Sequence, residues 1–204
     1  MTAPLRPDIA RVLVDRAQAA RRYHAPLTRG RLERSDIDRV RHGDFANARL
    51  LRRVVAEHGW PGRTLVGDAG ADAAWLIALY ADVEPELQRR ALRLLATAVE
   101  RGEAMIQQWA HLYDRCSVNA GKRQLYGTQY QHGPAGMTVL PVMEPAGLDN
   151  RRASVGLPPF AVAHETLRRR HLREPGTAET DRPYADRDEP LAGKVLLPTG
   201  AAAR

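Results

Sequence analysis

The most concentrated polar chemistry in this sequence lies at residues 124–129, Gln-Leu-Tyr-Gly-Thr-Gln. Tyr126 can donate a proton, and Gln124 or Gln129 can polarise a carbonyl group. Gly127 has no side chain, so another backbone or a ligand can approach it closely. We therefore predict catalytic roles for Tyr126 and Gln129 and a substrate-binding role for Gln124. The alternative is that these side chains only satisfy backbone groups of a hairpin.

Asp82 is a second candidate for catalysis, because it follows an almost entirely apolar stretch, residues 71–81. A carboxylate held near the core would have a pKa raised by desolvation, which suits a general base, or it could anchor a substrate amine. The alternative is an ordinary one: Asp82 caps the helix that begins at Pro85. Both roles could hold at once.

Asp114 and Arg115 are neighbours, so on a helix their side chains point about 100° apart and cannot share a face. We expect Arg115 to point inward beside Gln108 and His111, where a guanidinium group could clamp a carboxylate or phosphate. Arg115 and His111 are therefore predicted to bind substrate, with Arg151 as a second anion clamp. An equally weighted alternative is a buried structural ion pair of Arg115 with Asp82 or Asp149.

The remaining reactive residue types show no pattern that indicates a metal or cofactor. The seven histidines include no pair four residues apart on one helix and no Glu-x-x-His motif. Cys116 is the single cysteine and is expected to be a small core residue. The phosphate-binding, dinucleotide-binding and nucleophile-elbow motifs are absent from the sequence. We expect neither a metal site nor an organic cofactor.

Hydrophobic periodicity predicts that helices position these residues. They are expected at residues 7–23, 45–58, 71–81, from 85 to a break at Gly102, at 103–116 and from 158 or 159 to 171. Shorter helical turns are expected at 35–40 and 148–152, and Asp44 after Gly43 is expected to cap the helix 45–58. Residues 124–131 and 137–143 are typical of a small hairpin. The prediction is a mainly α fold, a bundle of about six helices with a hairpin near residues 124–143.

Composition and charge limit the setting and the partners. The formal net charge is +7 and the pI about 10.1, but arginine is spread over almost every segment and aromatics make up only 5%. That pattern is typical of a GC-rich bacterial genome, so we do not expect nucleic acid as a partner. With no apolar run long enough for a membrane and no export signal at residues 1–14, we expect a cytoplasmic protein. A single domain is expected at residues 1–172, followed by a disordered tail at 173–204.

Several signals together resemble an uncharacterised bacterial family, catalogued as domain of unknown function 6624. The resemblance runs from about residue 44 to 164 and rests on Gly59-Trp60-Pro61, Val66-Gly67, Ala81-Asp82, Gln88, Asp114-Arg115, Tyr126-Gly127-Thr128-Gln129, Arg151-Arg152 and Gly156-Leu157. One position departs from it: the family pattern has a histidine where this chain has Tyr80. If that histidine is a base or ligand, this chain works differently or has lost the activity. The resemblance implies no established activity.

These observations favour an enzyme that uses acid/base chemistry on a small polar metabolite, anionic or peptide-like, without an organic cofactor. Isomerisation, elimination, cyclisation and hydrolysis would all suit the residues above. The alternative is a non-catalytic ligand-binding or interaction module. An enzyme requires water access to Asp82 and Tyr126, whereas an interaction module would bury both and expose an apolar patch. A homodimer is left open.

Overall fold

Helices carry most of the chain in the computed structural model, which describes residues 3–27, 34–133 and 136–172. Within these ranges the helices are α1 (Pro7–Leu27), α2 (Arg34–His58), α3 (Arg63–Leu79), α4 (Pro85–Glu100), α5 (Ile106–Asn119), α6 (Leu148–Ser154) and α7 (Phe160–Leu172). Strands β1 (Tyr130–Gly133) and β2 (Gly136–Val139) pair antiparallel, and Pro145–Gly147 forms a 3-10 turn. The predicted mainly α fold with one hairpin is confirmed.

Helix α3 is the central helix, as its apolar sequence predicts, because a helix without a polar face must be covered on all sides. It packs against α1, α2, α4 and α5. The largest fully buried apolar side chains around it are Leu13, Leu51, Ile77, Leu95, Trp109 and Leu112. Every helix from α1 to α5 thus contributes to one core.

The start of α3 lies at Arg63, well before the predicted residue 71. Gly67 interrupts the helix with φ 71° and ψ 173°, so a first short turn and the main helix meet at a kink. The Glu103 carboxylate stabilises that first turn by accepting hydrogen bonds from the Thr64 amide at 2.8 Å and from the Thr64 hydroxyl. Because this cap comes from 39 positions away, local sequence could not reveal it.

Helix α2 is continuous, whereas the sequence predicted a short turn at 35–40 and a separate helix from 45 to 58. Gly43 lies inside the helix with a backbone that needs no positive φ, and nothing lies within 4 Å of the place where its Cβ would be. Asp44 does not begin a helix either. Its carboxylate instead accepts hydrogen bonds from His24 of α1.

The hairpin is shorter than predicted, because residues 124–129 are not a strand. They form a loop in which Gln124 makes one isolated bridge with Val142 and Gly127 adopts φ 63°. The predicted turn at 148–152 is the helix α6, and the predicted last helix is α7. The predicted disordered tail, 173–204, lies outside the described residues. No helix in the described ranges has both the length and the apolar composition to span a membrane.

Two glycine substitutions test the continuity of α2 and the kink in α3. We expect Gly43→Ala to raise the free energy of unfolding by about 0.4–1 kcal/mol, because alanine restricts the unfolded chain and fits a helical position. Gly67→Ala should lower it by about 1–2 kcal/mol, because φ 71° is unfavourable for any residue with a Cβ. Urea unfolding of both variants measures the difference. Destabilisation by Gly43→Ala would contradict a continuous α2.

Candidate functional site

The most completely bonded carboxylate in the described chain belongs to Asp114, on α5, whose exposed fraction is 0%. It accepts hydrogen bonds from the backbone amides of Leu125 (2.7 Å), Tyr126 (3.1 Å) and Thr128 (3.0 Å), and from the Thr128 hydroxyl (2.9 Å). Burial raises the pKa of Asp114, and these hydrogen bonds act in the opposite direction. The prediction that Arg115 points inward and Asp114 outward is therefore wrong, because the loop at 124–129 supplies donors, which a carboxylate accepts and a guanidinium group cannot.

Gln124 and Gln129 are bonded to one another within that loop. The fully buried Gln124 side chain accepts a hydrogen bond from the Gln129 amide at 2.8 Å and donates to the carbonyls of Gln129 and Leu140. It thereby replaces the backbone pairing that a strand would provide. Gln129 points toward α5: its Nε2 lies 3.4 Å from the His111 carbonyl, and its Oε1 lies 3.4 Å from Arg115. The structure thus gives Gln124 a structural role and places Gln129 beside Arg115.

Arg151 and Arg152, on α6, hold the same loop from its other side. Arg151 donates to the carbonyls of Leu125, Met143 and Glu144. Arg152, which is 3% exposed, donates to the carbonyls of Pro158 and Tyr126. The guanidinium group of Arg151 is bonded to backbone carbonyls in this structure. Its predicted role as an anion clamp stays a prediction.

Tyr126 lies in an aromatic cluster rather than in an open cleft. It is 2% exposed, and its ring makes edge contacts with Trp109 and Tyr113 at centroid distances of 6.2 Å. Burial raises the pKa of Tyr126 to about 12, and the negative charge of Asp114 adds to the shift. The raised pKa makes Tyr126 a weaker proton donor than an ordinary tyrosine.

Asp82 and Arg115 form an ion pair at the junction of α3 and α5. Arg115 approaches the carboxylate with two nitrogens, the Nε at 2.9 Å, while Asn119 and Gln88 donate to the same carboxylate at 2.7 and 3.0 Å. The side chains of Asp82 and Arg115 are 38% and 28% exposed, so water reaches the pair. Of the two alternatives for Arg115, the structure shows an ion pair with Asp82, though at an accessible edge.

The predicted pKa shift of Asp82 is wrong in direction. Burial acts to raise the pKa of Asp82, but the hydrogen bonds and charge of Arg115, with the hydrogen bonds from Asn119 and Gln88, hold it below its usual value. Capping is also wrong, because Glu84 takes the N-cap position of α4 and no side chain caps it. A carboxylate that an arginine holds ionised is a weak base.

His111 lies on α5, one helical turn before Arg115. Its ring packs edge-on to Trp75 at 6.0 Å, and burial lowers the pKa of His111 to about 4, with the charge of Arg152 acting in the same direction. The neighbouring Gln108 is buried, donates to Asp72 at 2.6 Å and accepts from the Met105 amide. A neutral His111 at physiological pH could bind a substrate but would carry no charge.

A histidine–aspartate pair that sequence reasoning missed joins α1 to α2. His24 Nε2 lies 2.9 and 3.0 Å from the two carboxylate oxygens of Asp44, and the side chains are 16% and 11% exposed. The imidazole ring stacks on Tyr80 of α3, with centroids 3.8 Å apart and an interplanar angle of 11°. We call His24 and Asp44 the dyad. The two residues lie twenty positions apart on different helices, so no spacing motif could have indicated them.

Tyr80 connects the dyad with the ion pair. Burial raises the pKa of Tyr80, the charges of Arg21 and Arg115 lower it, and the charge of Asp44 raises it. The charges of Asp44 and Arg115 thus act on the pKa of Tyr80 in opposite directions. His24 thus stacks on Tyr80, which directly follows α3 and lies two residues before Asp82, the ion-pair partner of Arg115.

Other chemistries find less support among the described residues. Within 3–27, 34–133 and 136–172, no three His, Cys, Asp or Glu side chains converge as metal ligands. Burial raises the pKa of the Cys116 thiol to about 11, so it stays protonated and is a poor nucleophile.

Comparison with known proteins gives one finding. A family model described as a family of unknown function (DUF6624) matches residues 34–169. No curated protein and no solved structure matches the chain. The matched span contains Asp44, Tyr80, Asp82 and Arg115, whereas His24 precedes it.

The role of Asp114 predicts a large effect of a small change. Asp114→Asn keeps the shape but replaces one acceptor oxygen by a donor, so buried loop amides lose their acceptor. Each such amide costs about 1–3 kcal/mol, and we expect the variant to lose at least about 2 kcal/mol of unfolding free energy. Asp15→Asn, on the exposed face of α1, is the matched control and should change stability by less than about 0.5 kcal/mol. Equal urea midpoints for the two variants would contradict the role of Asp114.

The lowered pKa of Asp82 predicts a dependence of stability on pH. Because the folded-state pKa lies below the unfolded value of about 3.9, the ionised carboxylate stabilises the fold above that value. This contribution is lost as the pH falls through the folded-state pKa. The stability advantage of the wild type over Asp82→Asn, measured by urea unfolding from pH 6 down to pH 2.5, should therefore shrink below about pH 4. An advantage that grows in this range would mean a raised pKa.

Proposed function

The chain belongs to the DUF6624 family, whose description names no activity, and we propose from its geometry that it is an enzyme of acid/base chemistry. The substrate we propose is a small polar metabolite, anionic or peptide-like, handled without an organic cofactor. The observation that carries this proposal is the dyad, His24 bonded to both oxygens of Asp44 and stacked on Tyr80.

The dyad supplies a base whose tautomer is set by its partner. Because the Asp44 carboxylate can only accept, it holds the imidazole proton on Nε2 and leaves the lone pair on Nδ1. Nδ1 would take a proton from the substrate, and Asp44 would stabilise the resulting imidazolium, as carboxylates do in other histidine-dependent sites. The same Nδ1–H would then return the proton to another substrate atom. This sequence suits isomerisation, elimination, cyclisation and hydrolysis alike.

Arg115 supplies the anion-binding half of the proposed site. Its guanidinium group already binds one carboxylate, that of Asp82, at a surface that water reaches. A substrate carboxylate or phosphate would share this guanidinium group, while Asp82 and Gln129 keep it in place and Asn119 donates to Asp82. Asp82 is then a positioning residue. Tyr126 and Arg151 support the loop at 124–129.

A second candidate function is an interaction module with an acidic partner, and one observation favours it. Along α2, Arg41, Phe45, Arg49 and Arg53 recur every fourth residue and are exposed, so they form a basic stripe on one face. The Arg49 guanidinium group lies 5.9 Å from the ring centroid of Phe45, which is 46% exposed. Water access to the two predicted catalytic residues does not decide between the functions, because Asp82 is open to water as an enzyme requires, whereas Tyr126 is buried.

We expect a ligand screen followed by a conversion assay to separate the two functions. In a thermal-shift screen of carboxylates, phosphates and short peptides, a ligand at one hundred times its Kd should add about 2.7 kcal/mol of stability. Arg115→Gln should remove this response. With the ligand so identified, conversion followed by NMR should fall about 10²–10⁴-fold in His24→Gln, because the base is lost.

His42→Gln is the matched control, because His42 lies on α2 and its Nδ1 bonds only to the Asp38 carbonyl among described partners. Binding of the ligand with no conversion by the wild type would contradict an enzyme. Binding of an acidic polymer such as heparin, lost in Arg49→Gln, together with no small-molecule response, would establish the second function instead.

A further inference from the structure

A second region with unused chemistry lies on the far side of the loop from α5, where the hairpin meets α6 and α7. A groove of about 380 Å³ opens there, and eight of the nine residues that line it are apolar. This volume falls at the small end of the range of roughly 300–1,000 Å³ typical of small-molecule sites. Asp149 is the one charged residue in the lining, and its carboxylate accepts a hydrogen bond from the Phe160 amide at 2.7 Å.

Two buried polar atoms beside this groove have no hydrogen-bond partner among the described residues: the Tyr130 hydroxyl and His164 Nδ1. Their rings stack with centroids 5.7 Å apart, and His164 stacks in the same way on Phe160, one helical turn earlier. An unsatisfied buried polar group opposes folding, and two in contacting side chains are uncommon. This pairing therefore calls for an explanation beyond packing.

Residues that line the groove also contact Tyr130 or His164, which carry the two unpaired atoms. Tyr130 is the cross-strand partner of Val139, so both side chains stand on one face of the hairpin, and Val139 lines the groove. Phe160 lines the groove and also covers His164. The Phe160 ring lies against Gly127, at 3.2 Å from where a Cβ would be, and the Arg152 guanidinium group lies 5.9 Å from the ring centroid. The Phe160 ring is thus shared, because it lines the groove and also packs on the His164 ring.

We propose that this region is a second ligand site, which binds a small carboxylate with an apolar body. The body lies in the groove, and rotation of the Phe160 ring admits the carboxylate head to the Tyr130 hydroxyl and to Nδ1–H of His164. An anionic head fits because both groups can donate and because the positive charge of Arg152 acts at Tyr130. The site uses none of the residues of the proposed active site, so it stands or falls independently of the enzyme proposal.

The test compares two probes of the same apolar body and opposite charge, 3-phenylpropanoate and 3-phenylpropylamine, on the full chain. Amide NMR shifts of Val139 and Leu140 should move saturably with the acid and not with the amine. Tyr130→Phe removes only the hydroxyl and should weaken the acid about tenfold or more, as expected for a hydrogen bond to a charged group. Phe160→Ala removes the ring that packs on His164, so the carboxylate head needs no ring rotation to enter, and it should tighten binding. Tyr23→Phe, an exposed tyrosine on α1, is the matched control.

Stability measurements distinguish a specific loss of probe binding in Tyr130→Phe from misfolding of the variant. Tyr130→Phe should unfold at the same or a higher urea concentration than the wild type, because it removes an unpaired buried hydroxyl. The proposal is overturned if the amine binds as tightly as the acid, which would mean that Asp149 governs the groove. Equal affinity of wild type and Tyr130→Phe for the acid, or no saturable shift at millimolar probe, would overturn it as well.

Discussion

The structure depends on the buried carboxylate of Asp114, because a loop without regular backbone pairing needs acceptors for its amides and this group accepts several of them at once. Three amides and one hydroxyl of residues 125–128 converge on it. Once fixed, the loop presents its carbonyls to Arg151 and Arg152 of α6, and Gly127 leaves space for Phe160 of α7. One carboxylate on α5 thereby determines where the two following helices attach.

The same burial also decides where Arg115 lies. Adjacent residues on a helix point about 100° apart, so an inward Asp114 forces Arg115 to the edge of α5. There it reaches Asp82, which lies in the turn after the central helix, and this contact keeps the aspartate ionised. The loop and the proposed anion site are therefore linked through neighbouring residues of one helix. A helix register that is set by structural needs places a guanidinium group at the surface, where a ligand could use it.

Periodicity predicted the helices because the apolar positions of α1 and α4 record which face is buried. It failed at Gly43, where a residue typical of helix ends lies inside a continuous helix, since tertiary packing outweighs a propensity of about 1 kcal/mol. The polar residues of the loop were recognisable as unusual, but their partners were not. Gln124 and Gln129 satisfy backbone groups across a turn, and His24 meets Asp44 across two helices. Such contacts follow from how helices pack, which a single sequence does not encode in its spacing.

The proposed base and its partner have different relations to the family. Asp44, Tyr80 and Arg115 lie within the span that the family model matches, whereas His24 belongs to α1, which precedes it. His24 stacks on Tyr80, which is the position where the family pattern has a histidine and this chain has a tyrosine. A tyrosine there offers a flat ring on which an imidazole from another helix can stack, and Asp44 fixes that imidazole in place. If the dyad is the base, then α1 is part of the active site in this chain. A protein cut back to the matched span would then lose proton transfer while keeping the anion-binding arginine.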